Sequence, residues 1–271
     1  ETRSLLRFSV PVLLVDFGGL ALTQTDRLLL GALGTSSQVG VYNIAYILSQ
    51  QILVFFTAIL VVFNPVVSEL YTKGNFEQLQ RMYTTVTRWI FVFSVPSVIV
   101  GSLFASELLS IFNPEFASGE PLLGVLLVAQ LVYVSIGPAK EILTMSDQQD
   151  IVLVDMLVML VGNVALNLVL IPRMGSMGAA IATLVTITVV ESAQIYQAKR
   201  RLGVFPFDRR YYKALAVGVA FLVVSYGIKR LHLSFVPRVG VVAAVLLAYL
   251  LVVWKVIITE TDRRTMRMIL D

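Results

Sequence analysis

Long apolar runs broken by short polar turns repeat along the whole chain. Apolar periodicity and breaker residues predict eight helical spans, over 5–26, 41–65, 88–111, 121–143, 151–171, 176–198, 211–228 and 237–257. Each has or approaches the roughly 20 residues that an α-helix needs to cross a hydrocarbon layer about 30 Å thick. Turn-like segments separate them at Gly31 to Gly40, Asn113 to Pro121, Ser146 to Asp150, Pro172 to Gly178 and Leu231 to Pro237. The longest polar interval, Glu69 to Arg88, is amphipathic enough for one short helix at the membrane interface, or else is a plain connector.

Composition strengthens this picture. Hydrophobic residues make up 57% of the chain and charged residues 14%, with a mean hydropathy of +0.84. That is more apolar surface than one soluble core of this size can bury, so the expected class is an all-α integral membrane protein without a sizeable soluble domain. The net charge of +4 comes from basic clusters between apolar runs, not from one aromatic-rich patch, so it reads as a topology signal and not as a nucleic-acid surface. Cys is absent and His232 is the single histidine, which excludes disulfide frameworks, haem and the usual zinc sites. The chain begins at Glu1, and its first span lacks the short apolar core and cleavage site of a signal peptide, so it reads as part of a longer protein.

With eight spans, sixteen of the 21 Lys and Arg residues fall on one side, notably Arg3, Arg7, Lys73, Arg81, Arg88, Lys140 and the group from Lys199 to Lys213. The other side holds Arg27, Arg173, Lys229, Arg230 and Arg238. Positive loops resist translocation, so both termini are expected in the cytoplasm, with the plasma (inner) membrane as the site of this multi-pass chain. Pro11, Pro65, Pro96 and Pro138 lie inside spans, where each removes a backbone hydrogen bond and favours a kink. The small-residue spacings Gly178 to Ala182 and Ala214 to Gly218 suit close helix packing.

Ionisable groups inside hydrocarbon need a partner or a wet cavity. Asp16 lies near the middle of the first span and shares a face with Thr23 and Arg27, a polar stripe that climbs toward the outer surface. Asp26 points elsewhere, to pair with a neighbouring helix or to mark the interface. The second span carries its own stripe of Tyr42, Tyr46, Ser49, Gln50, Thr57 and Asn64. Two stripes on consecutive spans suggest a shared hydrophilic cavity, the alternative being polar groups that bond only to one another. Asp155 and Glu191 sit within two turns of the cytoplasmic ends, where hydrated side chains reach headgroups. Asn163 and Asn167 are expected to tie their helix to its neighbours. No phosphate-binding G-x-x-x-x-G-K-[ST] loop occurs, and no catalytic carboxylate, His-Glu or Ser/His/Asp set stands in the connecting loops, so the expectation is a protein that is not an enzyme and holds no cofactor.

Three stretches resemble the MOP flippase superfamily, in its branch for polysaccharides, O-antigen and related lipid-linked oligosaccharides. They are TDRLLLGALGTSSQVGVYNIAYIL (Thr25 to Leu48), NVALNLVLIPRMGSMGAAIAT (Asn163 to Thr183) and NPEFASGEPLLGVLL (Asn113 to Leu127). The stretch from Asn163 to Thr183 resembles the outer turn between two late helices of that family, with Gly178 and the alanines after it permitting a tight return and close packing. The resemblance implies the C-terminal part of such a transporter: a six-helix MATE-like bundle over 1–203, then two additional C-terminal helices and a short cytoplasmic tail over 204–271. The N-terminal bundle, missing from this chain, would supply the other wall of a central cavity.

By the same resemblance, the first two spans line that cavity. The implied substrate is a polyprenyl-pyrophosphate-linked oligosaccharide, as in lipopolysaccharide and other glycan export, with Arg27 meeting its pyrophosphate. Asp16, Thr23, Tyr42, Tyr46, Gln50 and Thr57 complete the candidate binding set. Alternating access would carry the substrate to the outer leaflet, with membrane lipids and the missing bundle as partners and with a possible coupling ion, Na+ or H+, left open. A MATE-type drug or ion antiporter, a lipid II flippase and a membrane glycosyltransferase or ligase are the rival readings.

Overall fold

The computed structural model describes residue 13 and residues 24–231 and 234–256, and every regular element among them is helical. Helix α1 is described over 24–33. Next come α2 (Ser36–Ser49), a 3-10 turn (Gln50–Ile52), α3 (Leu53–Thr72), α4 (Phe76–Leu103) and the short α5 (Ala105–Ser110). A 3-10 segment (Pro114–Gly119) leads into α6 (Glu120–Ile136), followed by α7 (Ala139–Met145), α8 (Gln149–Met174), α9 (Ser176–Leu202), α10 (Arg209–Lys229) and α11 (Phe235–Val256).

Seven helical stretches among the described residues are long and apolar enough to cross a membrane, and they correspond to the second through eighth predicted spans. The first predicted span lies outside the described residues except for residue 13 and its last turn in α1. The exposed and buried faces explain why lipid is the solvent. On α8 the buried positions include Asp155, Asn163 and Asn167, whereas Val154, Leu157, Val158, Val161, Leu168 and Val169 face outward. That is the reverse of a soluble amphipathic helix and the expected pattern for a helix bathed in acyl chains.

Several boundaries differ from the sequence expectation. The polar interval from Glu69 to Arg88 forms no helix of its own. It divides between the end of α3, a turn at Lys73, Gly74 and Asn75, and the first three turns of α4. The Asn75 side chain starts α4 by accepting from the Gln78 amide at 3.1 Å, and the 28 residues of α4 then extend beyond the hydrocarbon. The fourth predicted span is split. Gly137, at φ +73°, ends α6, and a Cβ there would lie 2.1 Å from Thr87 Oγ1, so only glycine fits before Pro138 starts α7. The tight return between α8 and α9 is made by Gly175, at φ +59°, and not by Gly178. Gly178 serves the packing, because a Cβ there would lie 2.4 Å from the Leu170 carbonyl oxygen.

One buried cluster runs through α2 to α9, with α6 packed against α2, α4 and α9. A second joins α4 to α10 and α11 around Phe91, Val95, Tyr211 and Tyr249. Gly218 makes this seam possible, since a Cβ there would come within 2.8 Å of the Phe91 ring. Polar clasps reinforce it. Tyr211 and Tyr249 donate to the carbonyls of Ser135 and Val92 at 2.6 and 2.8 Å. Gln80 makes a reciprocal pair with the backbone of Phe205, each bond 2.7 Å long. Arg88, 1% exposed, faces Asp208 at 3.6 Å. It therefore lies inside the packed structure, with its counter-ion at the start of α10.

Asp155 and Glu191 also depart from expectation. They are 7% and 5% exposed, turned into the bundle and away from headgroups, and Asp155 accepts from Gln197 Nε2 at 2.8 Å.

Candidate functional site

The three stretches that carry the family resemblance meet at one end of the bundle. Gly40 and Val41 of α2 abut Phe116 and Gly119, where added Cβ atoms would lie 3.0 Å from the Phe116 ring and 2.3 Å from Val41. A Cβ on Gly175 would likewise lie 2.4 Å from Gln38 Nε2, which places the start of α2 on the α8–α9 turn. Thr35 and Gln38 form a capping box there that fixes how α2 begins.

Beneath this contact lies a knot of buried polar groups. Asp26, 3% exposed, accepts from Tyr42 Oη at 2.6 Å, from Asn167 Nδ2 at 2.6 Å and from Thr183 Oγ1 at 2.7 Å. Asn167 also donates to Asn163 Oδ1 at 2.8 Å. Three helices far apart in sequence thus converge on one carboxylate, and all its donors among the described residues are neutral. The Asn167 Oδ1 atom beside it is buried and has no hydrogen-bond partner among the described residues. The three donated hydrogen bonds solvate the Asp26 carboxylate inside the protein without cancelling its charge. No group of three or more His, Cys, Asp or Glu side chains is placed to hold a metal among the described residues.

Aromatic contact extends the knot along α2. The Tyr42 and Tyr46 rings stack with centroids 6.1 Å apart. Tyr46 Oη accepts from Gln50 Nε2 at 2.6 Å, and the Arg27 guanidinium lies 5.3 Å over the Tyr46 ring. Gln50 opens the 3-10 turn that tightens the helix between α2 and α3, a feature often found at hinges.

Of the predicted site residues, Arg27, Tyr42, Tyr46 and Gln50 are therefore brought together. Tyr42 and Tyr46 turn into the bundle and are buried. Thr57 stands apart on the exposed face of α3, its hydroxyl bonded to the carbonyls of Leu53 and Val54, both at 3.1 Å. Asp16 and Thr23 lie outside the described residues. The sequence leaves Asp26 with two fates, and the structure selects pairing with neighbouring helices. The available signal is the polar content of the resembling stretches themselves, because Asp26 comes from one and Asn163, Asn167 and Thr183 from another.

A family model described as polysaccharide biosynthesis protein matches residues 1–114, from the predicted first span through α5. The probable flippase AglR of Haloferax volcanii is 28% identical over 168 residues, 60% of this chain and 35% of the relative. The probable low-salt glycan biosynthesis flippase Agl15 of the same organism is 26% identical over 193 residues, 70% of this chain and 40% of the relative. The matched segments thus span less than half of either relative. No solved structure matches the chain. The resemblance read from the three stretches is borne out at modest identity, since the family model is one for polysaccharide biosynthesis and both relatives are named as flippases.

Proposed function

We propose that this chain is one half of an alternating-access flippase that moves a polyprenyl-pyrophosphate-linked oligosaccharide from the cytoplasmic to the outer leaflet, and that it is a transporter and not an enzyme. The relatives support the flippase role, since both are named as flippases and one for glycan biosynthesis. The missing bundle supplies the facing wall of the cavity, and the charge bias along the chain supports cytoplasmic termini in the inner membrane.

The observation that carries the reading is the carboxylate of Asp26, buried among neutral donors. An ionised group so placed is costly to hold, and binding a proton or Na+ removes the net charge. The Tyr42–Tyr46 stack joins it to Arg27 and Gln50, so a change in occupancy at Asp26 reaches the side chains proposed to hold substrate. Arg27 suits a pyrophosphate because its planar fork donates two parallel hydrogen bonds. Gln50 and Thr57 suit sugar hydroxyls. Substrate and ion then bias the same rocking equilibrium, which is how a gradient drives a flip.

The test is Arg27→Ala and Asp16→Ala in the full-length protein. Each is expected to abolish surface glycan while protein level stays intact, and normal glycan in both sinks the site. Proteoliposome assays with an imposed Na+ or pH gradient then identify the coupling ion.

A further inference from the structure

Away from the Asp26 knot, a cleft of about 860 Å³ opens between α4, α6, α10 and α11. That volume lies within the roughly 300–1,000 Å³ of ordinary ligand sites. Its depth is apolar, with Val98, Leu127, Leu131 and Leu222 on the walls, while its mouth carries Lys229, Arg230 and Arg238. Lys229 Nζ lies 2.6 Å from Glu120, and Arg238 Nη1 lies 2.5 Å from Glu107 and 3.3 Å from the Leu103 carbonyl oxygen. Arg230 donates to Tyr226 Oη at 3.1 Å and sits 5.0 Å over that ring. With three cations against two carboxylates, the mouth is net positive. The second oxygen of Glu107, Oε2, is buried and has no hydrogen-bond partner among the described residues. Gly124 keeps the α6 side open, because a Cβ there would meet nothing within 4 Å.

We propose that this cleft seats one anionic glycerophospholipid with a hydroxyl-bearing headgroup, of the phosphatidylglycerol class, which staples α10 and α11 to the bundle. An acyl chain fills the apolar depth, where water would be excluded. The phosphate meets Arg230 and Lys229, as basic pockets between membrane helices do with anionic headgroups. A headgroup hydroxyl donates to Glu107 Oε2, satisfying an acceptor whose isolation costs free energy. A soluble anion leaves the apolar depth unfilled, and a zwitterionic lipid leaves the positive mouth uncompensated. The staple acts where it is needed, since α10 and α11 pack on the rest of the molecule chiefly through α4.

The experiment is native mass spectrometry of the delipidated full-length protein, titrated with phosphatidylglycerol and phosphatidylcholine of identical chains, with thermal unfolding alongside. One phosphatidylglycerol is expected to be retained at least about tenfold more tightly than phosphatidylcholine and to raise the unfolding temperature. Lys229→Gln with Arg230→Gln is expected to bring the two lipids level. Gly124→Leu, which fills the cleft and leaves every charge in place, is expected to remove binding in a protein that still unfolds cooperatively. Glu107→Gln is expected to narrow the preference for phosphatidylglycerol over phosphatidic acid. Equal retention of both lipids, or Gly124→Leu with unchanged binding, overturns the proposal. So does glycerol phosphate binding as tightly as the lipid, which makes the cleft a soluble-anion site, or polyprenyl phosphate displacing the lipid at lower concentration, which makes it a seat for the transported tail.

Discussion

Asp26 and Arg88 are both charged and almost wholly buried, at 3% and 1% exposure, yet the protein compensates them in opposite ways. Arg88 faces a counter-ion, Asp208, whose other oxygen accepts from the Tyr211 amide at 2.6 Å and caps α10. Charge is balanced there within the protein, and the pair serves as a fixed bolt between α4 and α10. Asp26 has hydroxyl and amide donors instead, and among the described residues none of its hydrogen-bond partners is a cation. Its charge is solvated but not cancelled, which is the condition that the proposed exchange of a proton or cation requires. Equal burial therefore says how a charge is compensated only when its partners are named.

The largest effect expected from breaking this contrast is on transport. Asp26→Asn keeps the shape and most of the hydrogen-bonding capacity of the knot and removes only the charge. Flipping by the full-length protein is expected to fall roughly 5–150-fold, the span of a coupling free energy of about 1–3 kcal/mol, with a thermal midpoint close to the parent. Transport at the parental rate with unchanged ion dependence shows that the carboxylate is structural.

Arg88→Met inverts that signature. Removing one partner of a buried pair typically costs roughly 3–5 kcal/mol. Because the Asp208 side chain is 36% exposed and can be rehydrated, the loss here is expected to be smaller, about 2 kcal/mol. The measurement is thermal unfolding in detergent, paired with transport per folded molecule, which should stay near parental. A stable variant that has lost transport would make Arg88 part of the moving machinery.

The helical class and the positions of the later spans are legible because lipid selects on hydropathy, which a sequence displays directly. What hydropathy does not register is how far a helix continues into water. The amphipathic turns from Phe76 to Thr87 therefore read as a separate segment, although the cap at Asn75 announces the start of α4. The split at Gly137 is hidden because Gly-Pro inside an apolar run predicts a kink equally well, and only the contact with Thr87 demands a break. The knot is harder still. A stripe along one helix can be read from its period, and Tyr42, Tyr46 and Gln50 are legible that way. Asp26, Asn167 and Thr183 meet only through packing across 141 and 157 positions of chain. The burial of Asp155 and Glu191 has the same cause, since nearness to a helix end says nothing about which neighbour covers it.

Thr183→Val sharpens the comparison within the knot. It removes one donor to Asp26 and keeps the volume, for a stability loss of about 1 kcal/mol. Its diagnostic effect is on the ion: with one fixed donor gone, the concentration of Na+ or H+ giving half-maximal transport is expected to move, whereas Arg88→Met leaves it in place. A Thr183→Val protein with the parental ion dependence separates Thr183 from the exchangeable site.

Thr57→Val carries the smallest stability effect and answers a different question. The Thr57 hydroxyl is exposed and bonded only to the carbonyls of its own helix, so its loss is expected to change stability by less than about 0.5 kcal/mol. Its place on the exposed face of α3 means that any effect on glycan export reports what packs or passes against that face. Reduced surface glycan at an unchanged thermal midpoint places Thr57 on the substrate path beside Gln50. Unchanged glycan leaves that face to lipid or helix packing, and confines the proposed polar wall to the helical turns between Arg27 and Gln50.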